Sequence, residues 1–397
     1  MNPKYETIVI FSSCPELWGG SEELWSQTAE IFAKNGYKVH IFKLNVDQSH
    51  PRMKHLSNLG AEFTDLNEYL PNIARRIWNR FLPQNSYRTL PFYIKRVLAK
   101  RIRDLKPKLF IISQGSNFDG LPFVELCDLD EIPYVIISQK AIKYLFPNDP
   151  AREFLKTMWQ NSEKNYFVSR DNLNITRDQF GLELENSEVI RNPYLTKISE
   201  PLAWDFPQDD KIRIACVGRY DTIDKGQDIL INVLSQEKWR GRNVELSFYG
   251  KGVNEVGLKD LARYRKVDNV KFVGHTSDVL SIWKQNQALV LPARNEGLPL
   301  VVVEALMCGR VPIVTNVGGN TEVVEDGVNG FVAAYADENS FDEALERAWQ
   351  RRDEWKEIGK LGARKIREYV NEDPAQVFAA KLEEIMDARN REQTEIA

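Results

Sequence analysis

Short β-branched runs alternate with stretches of helical character along nearly the whole chain. TIVIFSS (7–13) reads as a buried strand, SEELWSQTAEIFAKNG (21–36) as a helix and KVHIF (38–42) as the next strand. Ser21 suits the N-cap, Glu22 and Glu23 the first turn, and Gly36 the residue beyond the C-cap. Strand, helix, strand in that order implies parallel pairing with a right-handed crossover. The series continues through KLFIIS (108–113), PYVIIS (133–138), KNYFVS (164–169) and SEVIRN (187–192).

The character changes at PYLTKISEPLAWDFPQDD (193–210), which carries three prolines and no clean period. It reads as a linker. A second series follows: IRIACVG (212–218), VELSFYG (244–250), VKFVG (270–274), ALVLPA (288–293), VPIVTN (311–316) and GFVAA (330–334). The expected architecture is α/β, with two Rossmann-like doubly wound domains. The first would span 1–195, the linker 196–211 and the second 212–373. A last helix over 374–397 opens with Pro374 and places Val377, Phe378, Leu382, Ile385 and Met386 on one face. That face is expected to cross back and pack on the first domain.

Composition narrows the class. Of 397 residues, 43 % are hydrophobic and 28 % charged, enough apolar material for two cores. The net charge of −4 gives no nucleic-acid footprint. Cys14, Cys127, Cys216 and Cys308 stand far apart and His40, His50, His55 and His275 lack ligand spacing, so a reducing compartment and no metal are expected. MNPKYETIVIFSS lacks the basic and long apolar regions of a signal peptide, and no run approaches a membrane span. A cytoplasmic protein is the expectation.

NEGLPLVVVEAL (295–306) sets Glu296 and Glu304 on either side of an apolar run. Between strands 288–293 and 311–316 only a loop and one helix fit. Pro299 suits the first helical position and Gly309 the position after the C-cap. Glu296 then lies in the loop at a strand's carboxyl end, where open α/β sheets take ligands, and Glu304 lies in the helix. The amides of Leu300 and Val301 at the helix start form an anion site. Amides for phosphate between two carboxylates for hydroxyls match a sugar–diphosphate–nucleoside. Two solvated glutamates at a helix start are the plainer alternative. Arg219 and Lys225, in VGRYDTIDKGQDIL (217–230), supply cations at a strand end of the same sheet.

With VGRYDTIDKG, FYGKG, VKFVGHTSDV, LPARNEGLPLVVVEAL and VPIVTNVGGNTEVVEDGVNGF in that order, residues 212–335 resemble the donor domain of glycosyltransferase family 4. WGGSEELWSQTAEIFAKNGYKVHIF, FVSRDNL and VIRNPY extend the likeness more loosely to the first half. The resemblance implies a GT-B fold, with the two domains facing a cleft. It implies a retaining, metal-independent enzyme that needs no cofactor and moves a sugar from a donor such as a UDP- or GDP-sugar to an acceptor hydroxyl. Glu296 would contact the donor sugar, with Gly297 and Leu298 beside it. Glu304 would hold the ribose, and Arg219 and Lys225 the diphosphate. Gly19 and Gly20 would approach the phosphates, and Gly274 and His275 the nucleobase. Where many members carry a histidine after the strand PYVIIS, this chain has Gln139. A nucleotide-sugar epimerase, a phosphorylase and a non-catalytic sugar-binding protein are the competing readings.

Residues 75–108 hold eleven Lys or Arg against Asp104 alone, interleaved with Trp78, Phe81, Tyr87, Phe92 and Tyr93. Three readings fit: peripheral contact with an anionic membrane, reception of a lipid-linked or phosphorylated glycan acceptor, or a solvated helical face with its aromatics in the core.

Overall fold

The computed structural model describes residues 6–69, 92–128, 132–194, 196, 198–207, 209–370 and 373–396. The chain divides into two units, Met1–Pro193 with Glu372–Ala397, and Tyr194–Asn371.

In the first unit the strands are β1 (Thr7–Ser12), β2 (Lys38–Lys43), β3 (Glu62–Asp65), β4 (Pro107–Gln114), β5 (Tyr134–Ser138), β6 (Lys164–Phe167) and β7 (Ser187–Val189). They form one sheet in the order β3-β2-β1-β4-β5-β6-β7, with every pair parallel. The central strands read as continuous apolar runs because both faces are covered. Val9 and Phe11 of β1 enter one layer with Phe42 and Phe110; Ile8 and Ile10 enter the other with Leu24, Trp25 and Phe32. β3 carries no such signal. Its four residues, EFTD, form an edge strand with only Thr64 buried.

The final helix, Pro374–Ile396, docks on this first unit. Phe378, Ala379, Leu382 and Met386 join the layer of Leu24 and Trp25. Phe378 meets Tyr166 edge-on at 4.9 Å. Lys381 pairs with Glu188 at 2.8 Å, and Arg389 with Glu163.

The basic stretch is described only from residue 92, so Trp78, Phe81, Tyr87 and the cations at 75, 76, 80 and 88 lie outside the described residues. In the helix Phe92–Leu105, Leu98, Ala99 and Ile102 are buried while Arg96, Lys100, Arg101 and Arg103 face solvent. Among the described residues no helix is long and apolar enough to cross a membrane.

In the second unit β8 (Ile212–Val217), β9 (Val244–Tyr249), β10 (Val270–Gly274), β11 (Ala288–Leu291), β12 (Val311–Thr315) and β13 (Phe331–Ala333) form a parallel sheet in the order β10-β9-β8-β11-β12-β13. The first six strands of the other unit follow the same order, so one doubly wound topology occurs twice.

The proline-bearing stretch differs from the linker reading. It has no helix or strand, yet it belongs to the second unit. Tyr194, Ile198 and Leu202 pack on the layer of Leu306 and Met307. The Leu202 amide donates to Cys308 O at 3.2 Å. Arg310, 1 % exposed, donates to Ala203 O at 3.0 Å, and its guanidinium lies over Trp204 and Phe206. Proline removes periodicity without preventing burial.

Phe378→Ala is expected to cost the first unit about 3–5 kcal/mol, the usual range for a buried phenylalanine. Denaturant unfolding followed through the tryptophans checks this; a loss below about 1 kcal/mol would show that the helix is not part of that core.

Candidate active site at the strand ends of the second domain

Strand order reverses between β8 and β11, which pair side by side. In a doubly wound sheet the chains leaving two such strands diverge and open a crevice at their carboxyl ends. Arg219 and Lys225 follow β8, and Glu296 follows β11.

Backbone contacts lock the two loops together. The Asp224 carbonyl accepts from the Arg294 amide at 2.7 Å and the Asn295 amide at 3.2 Å. Asn295 Nδ2 donates to Ile223 O at 3.1 Å. Arg294 donates to Thr222 O at 2.6 Å and forks onto Asp228 at 2.7 and 2.8 Å. Gly226 sits where the loops touch. Its φ is +64°, and a Cβ there would lie 2.2 Å from Pro292 O. Only glycine combines that conformation with that approach.

The result is a direct contact. Lys225 Nζ donates to Glu296 Oε1 at 2.5 Å, with side chains 18 % and 8 % exposed. The resemblance put Glu296 on a sugar and Lys225 on a diphosphate, and the structure joins the two side chains. Arg219, more exposed, lies 3.5 Å from Asp224.

The loop after β12 backs this pair. Gly318 has φ +58°, and a Cβ there would lie 2.3 Å from Gly297 O and 2.5 Å from Glu296 O. The Gly319 amide donates to Gly297 O at 2.5 Å. The Gly-Gly pair of the GGNTE stretch thus supports the Glu296 loop from behind.

The following helix is Leu300–Met307, one residue later at its start than the sequence reading placed it. Pro299 is its N-cap, and Gly309, at φ +71°, follows the C-cap Cys308. Leu300 and Val301 supply its first two amides, half-buried, while Gly297 and Leu298 are buried. Glu304 is 6 % exposed, on a largely apolar helix. Arg219, Lys225, Glu296, Gly297, Leu298, Leu300, Val301 and Glu304 therefore lie on two loops and one helix at this crevice. Gly274 ends β10 and His275 follows it, with β9 between β10 and β8. Gly274 O accepts from the Gly250 amide at 2.9 Å, and His275 is exposed.

Gly19 and Gly20 belong to the first domain, after β1. Gly19 caps a single turn, Gly20–Glu22. That turn rests on a buried ion pair. Glu22 accepts from Ser12 Oγ at 3.0 Å and Trp25 Nε1 at 2.9 Å, and lies 3.8 Å from Lys43 Nζ. Lys43 also donates to the carbonyls of Cys14 and Glu16. Burial raises the Glu22 carboxyl to about 7, against the opposing pull of Lys43. Half-buried Asp119, beyond β4, accepts from Ser13 Oγ at 2.5 Å and the Ser116 amide at 3.0 Å. Its burial raises it to about 6. Gln139 is buried, and its Oε1 accepts from Asn192 Nδ2 at 2.7 Å. Among the described residues no cluster of three His, Cys, Asp or Glu could hold a metal.

Residues 203–365 match the family model "Glycosyl transferases group 1". An uncharacterized glycosyltransferase of Methanocaldococcus jannaschii is 26 % identical over 219 residues, 54 % of this chain and 58 % of its own length. A glycogen synthase of Mycobacterium tuberculosis is 30 % identical over 161 residues, 40 % and 38 % of the two chains. An uncharacterized protein of a Klebsiella pneumoniae cps region is 30 % identical over 141 residues, 37 % of its own length. The matched stretches thus span less than two thirds of these relatives. Among solved structures, Anabaena HepE in complex with UDP superposes with a TM-score of 0.71 at 13 % identity, over 96 % of this chain and 100 % of that one. Sucrose-phosphate synthase of Thermosynechococcus elongatus gives 0.73 at 16 %, over 99 % and 100 %. At such identities the likeness is one of fold, two Rossmann-like domains of the GT-B kind.

Gly318→Ala is expected to push the Glu296 loop forward and destabilise the second domain by about 1–3 kcal/mol, since strain and overlap act together. Thermal unfolding checks the size; an unchanged midpoint would mean the loop yields freely. Asp119→Asn tests the first domain. The folded carboxyl titrates near 6 against an ordinary value of 3.8. Its protonated form is therefore the favoured one in the fold, and that contribution is complete below 3.8 and lost as pH rises through 6. The melting temperature of wild type relative to Asp119→Asn should fall from pH 4 to pH 6.5 on that account. A constant difference across the window would overturn the assignment.

Proposed function

We propose that this chain is a retaining, metal-independent glycosyltransferase of the family 4 kind. It transfers a sugar from a nucleotide-diphosphate-sugar to an acceptor hydroxyl. The observation that carries the reading is the partly buried Lys225–Glu296 contact at the switch point, with Glu304 in the adjoining helix. A cation, two carboxylates and helix-start amides match a diphosphate flanked by hydroxyls.

Each group has a role in this reading. The first amides of the helix Leu300–Met307 and the cations Arg219 and Lys225 take the diphosphate. Glu304 accepts from the ribose hydroxyls and Glu296 from the donor sugar. Gly274 and His275 face the base. The acceptor oxygen forms its bond to the anomeric carbon as the carbon–oxygen bond to the diphosphate breaks. The electron pair of that bond stays on the leaving phosphate, which takes the acceptor's proton on the same face. Charge grows on the diphosphate toward the transition state, so Arg219 and Lys225 bind that state more tightly than the substrate. Contact of Lys225 with Glu296 orients the ammonium before the donor arrives.

The donor is a UDP- or GDP-sugar, and no other cofactor is needed. A glycan or lipid-linked acceptor fits the outward cations of the helix Phe92–Leu105, and the same cations would suit a peripheral position on the cytoplasmic face of an anionic membrane.

Titration with a nucleoside diphosphate and turnover of the matching nucleotide-sugar test the division of roles. Glu304→Ala should weaken nucleoside diphosphate binding by about 1–3 kcal/mol, the cost of losing buried hydrogen bonds. Glu296→Ala should not weaken that binding, since it frees Lys225 for the phosphates, and should impair transfer. Lys225→Ala should lower turnover by roughly 10²–10³, as loss of an electrostatic stabiliser does. Activity should persist in excess chelator. Unchanged affinity in Glu304→Ala would refute the ribose role, and magnesium-dependent rescue would refute the metal-free reading.

A further inference from the structure

Just past β5 two buried amide side chains are committed to holding a loop. Gln179, 1 % exposed, donates to the carbonyls of Ile142, Lys143 and Leu145 at 2.8, 3.4 and 3.0 Å. Asn117, 2 % exposed, accepts from the Ile142 amide at 2.8 Å and donates to Gln179 Oε1 at 3.3 Å. The clamp fixes the backbone of 142–145. It displays aromatic rings: Tyr144 is 71 % exposed and Phe146 57 %.

Exposed rings on a braced backbone offer large contact area at low entropic cost on binding. The loop leaves the carboxyl end of a parallel strand, the edge where such sheets take ligands. At its root Gln139 and Asn192 form their own hydrogen bond. That bond leaves Gln139 Nε2 and Asn192 Oδ1 buried with no hydrogen-bond partner among the described residues. An unmatched buried donor and acceptor are each costly, and a hydroxyl, being both donor and acceptor, can partner either. A pyranose has the two properties together: an apolar C–H face that lies on a ring, and a hydroxyl edge. Residues 139–154 carry three cations and two acids, close to neutral, which fits a neutral sugar better than an anionic surface.

We propose that Tyr144 and Phe146, with the Gln139–Asn192 pair, form a carbohydrate subsite of the first domain that takes a neutral glycan. Calling that glycan the acceptor rests on the sugar-transfer reading above; the binding itself does not. The test uses the full chain on an immobilised array of neutral gluco-, galacto-, manno- and N-acetylglucosamine oligosaccharides, with thermal stabilisation by UDP and by GDP measured in parallel. Wild type should bind at least one series. The double variant Tyr144→Ala/Phe146→Ala should weaken that binding at least tenfold, about 1.4 kcal/mol. The ring-preserving Tyr144→Phe and Phe146→Tyr should retain it, and nucleotide stabilisation should be the same in all. No glycan bound by wild type, or equal binding by the double variant, overturns the subsite. Ring-dependent binding to phosphatidylglycerol vesicles instead of glycans overturns it in favour of a lipid surface. Absence of stabilisation by either nucleotide in wild type would count against the donor reading alone, since the array reads the glycan arm separately.

Discussion

The contact between the loop after β8 and the loop after β11 is what the candidate site depends on. It is made of backbone: the Asp224 carbonyl receiving two amides, and Gly226 against Pro292 O. Side chains alone could not hold Lys225 and Glu296 together, because a lysine loses rotamer freedom when pinned. The backbone lock places both Cα atoms, so the ion pair forms with little further ordering. Gly318 closes the third side through the carbonyls of Glu296 and Gly297. The catalytic reading therefore rests on where main chain touches main chain.

The first domain uses a different device for the same end of its sheet. A fully buried lysine, Lys43, reaches two carbonyls and a carboxylate beneath the turn that carries Gly19 and Gly20. Removing one member of such a group would strand the other in low dielectric, so the cost lies in breaking the set rather than in its net attraction. Asp119 and Ser13 extend this polar floor toward β4. The helix Pro374–Ile396 packs in the layer of Leu24 and Trp25, where its apolar face meets the helix Glu23–Lys34.

The repeated sheet was legible because its central strands are buried on both faces, which forces continuous apolar runs such as IVIF and ALVL. β3 was not, because an edge strand with one buried residue leaves almost no pattern. The stretch 193–210 misled because periodicity reports regular structure and not burial; Arg310 beneath Trp204 and Phe206 is a packing motif with no period. At the site, Glu296, Glu304, Arg219 and Lys225 stood out by position relative to strand ends. The Lys225–Glu296 contact did not, since it spans 71 positions of sequence and depends on a carbonyl accepting two amides. Arg294, whose fork onto Asp228 braces the loop, carries no local signal, because that bond spans 66 positions of sequence.

On the reading proposed above, the charges at the crevice bear on how a donor would enter. Arg219 lies beside Asp224 and Lys225 beside Glu296, so these four groups sum to neutrality. A diphosphate brings its charge to cations that carboxylates already hold. Its arrival must therefore compete with Glu296 for Lys225, and binding energy gained by the phosphates is partly offset by that exchange. The compensation is available in the same molecule: sugar hydroxyls that donate to Glu296 replace the lysine it gives up. A bare nucleoside diphosphate offers no such replacement. On the proposed reading, sugar and diphosphate would be coupled through one ion pair: the intact donor would draw on both ends of it, and the leaving nucleotide, stripped of its sugar, would not.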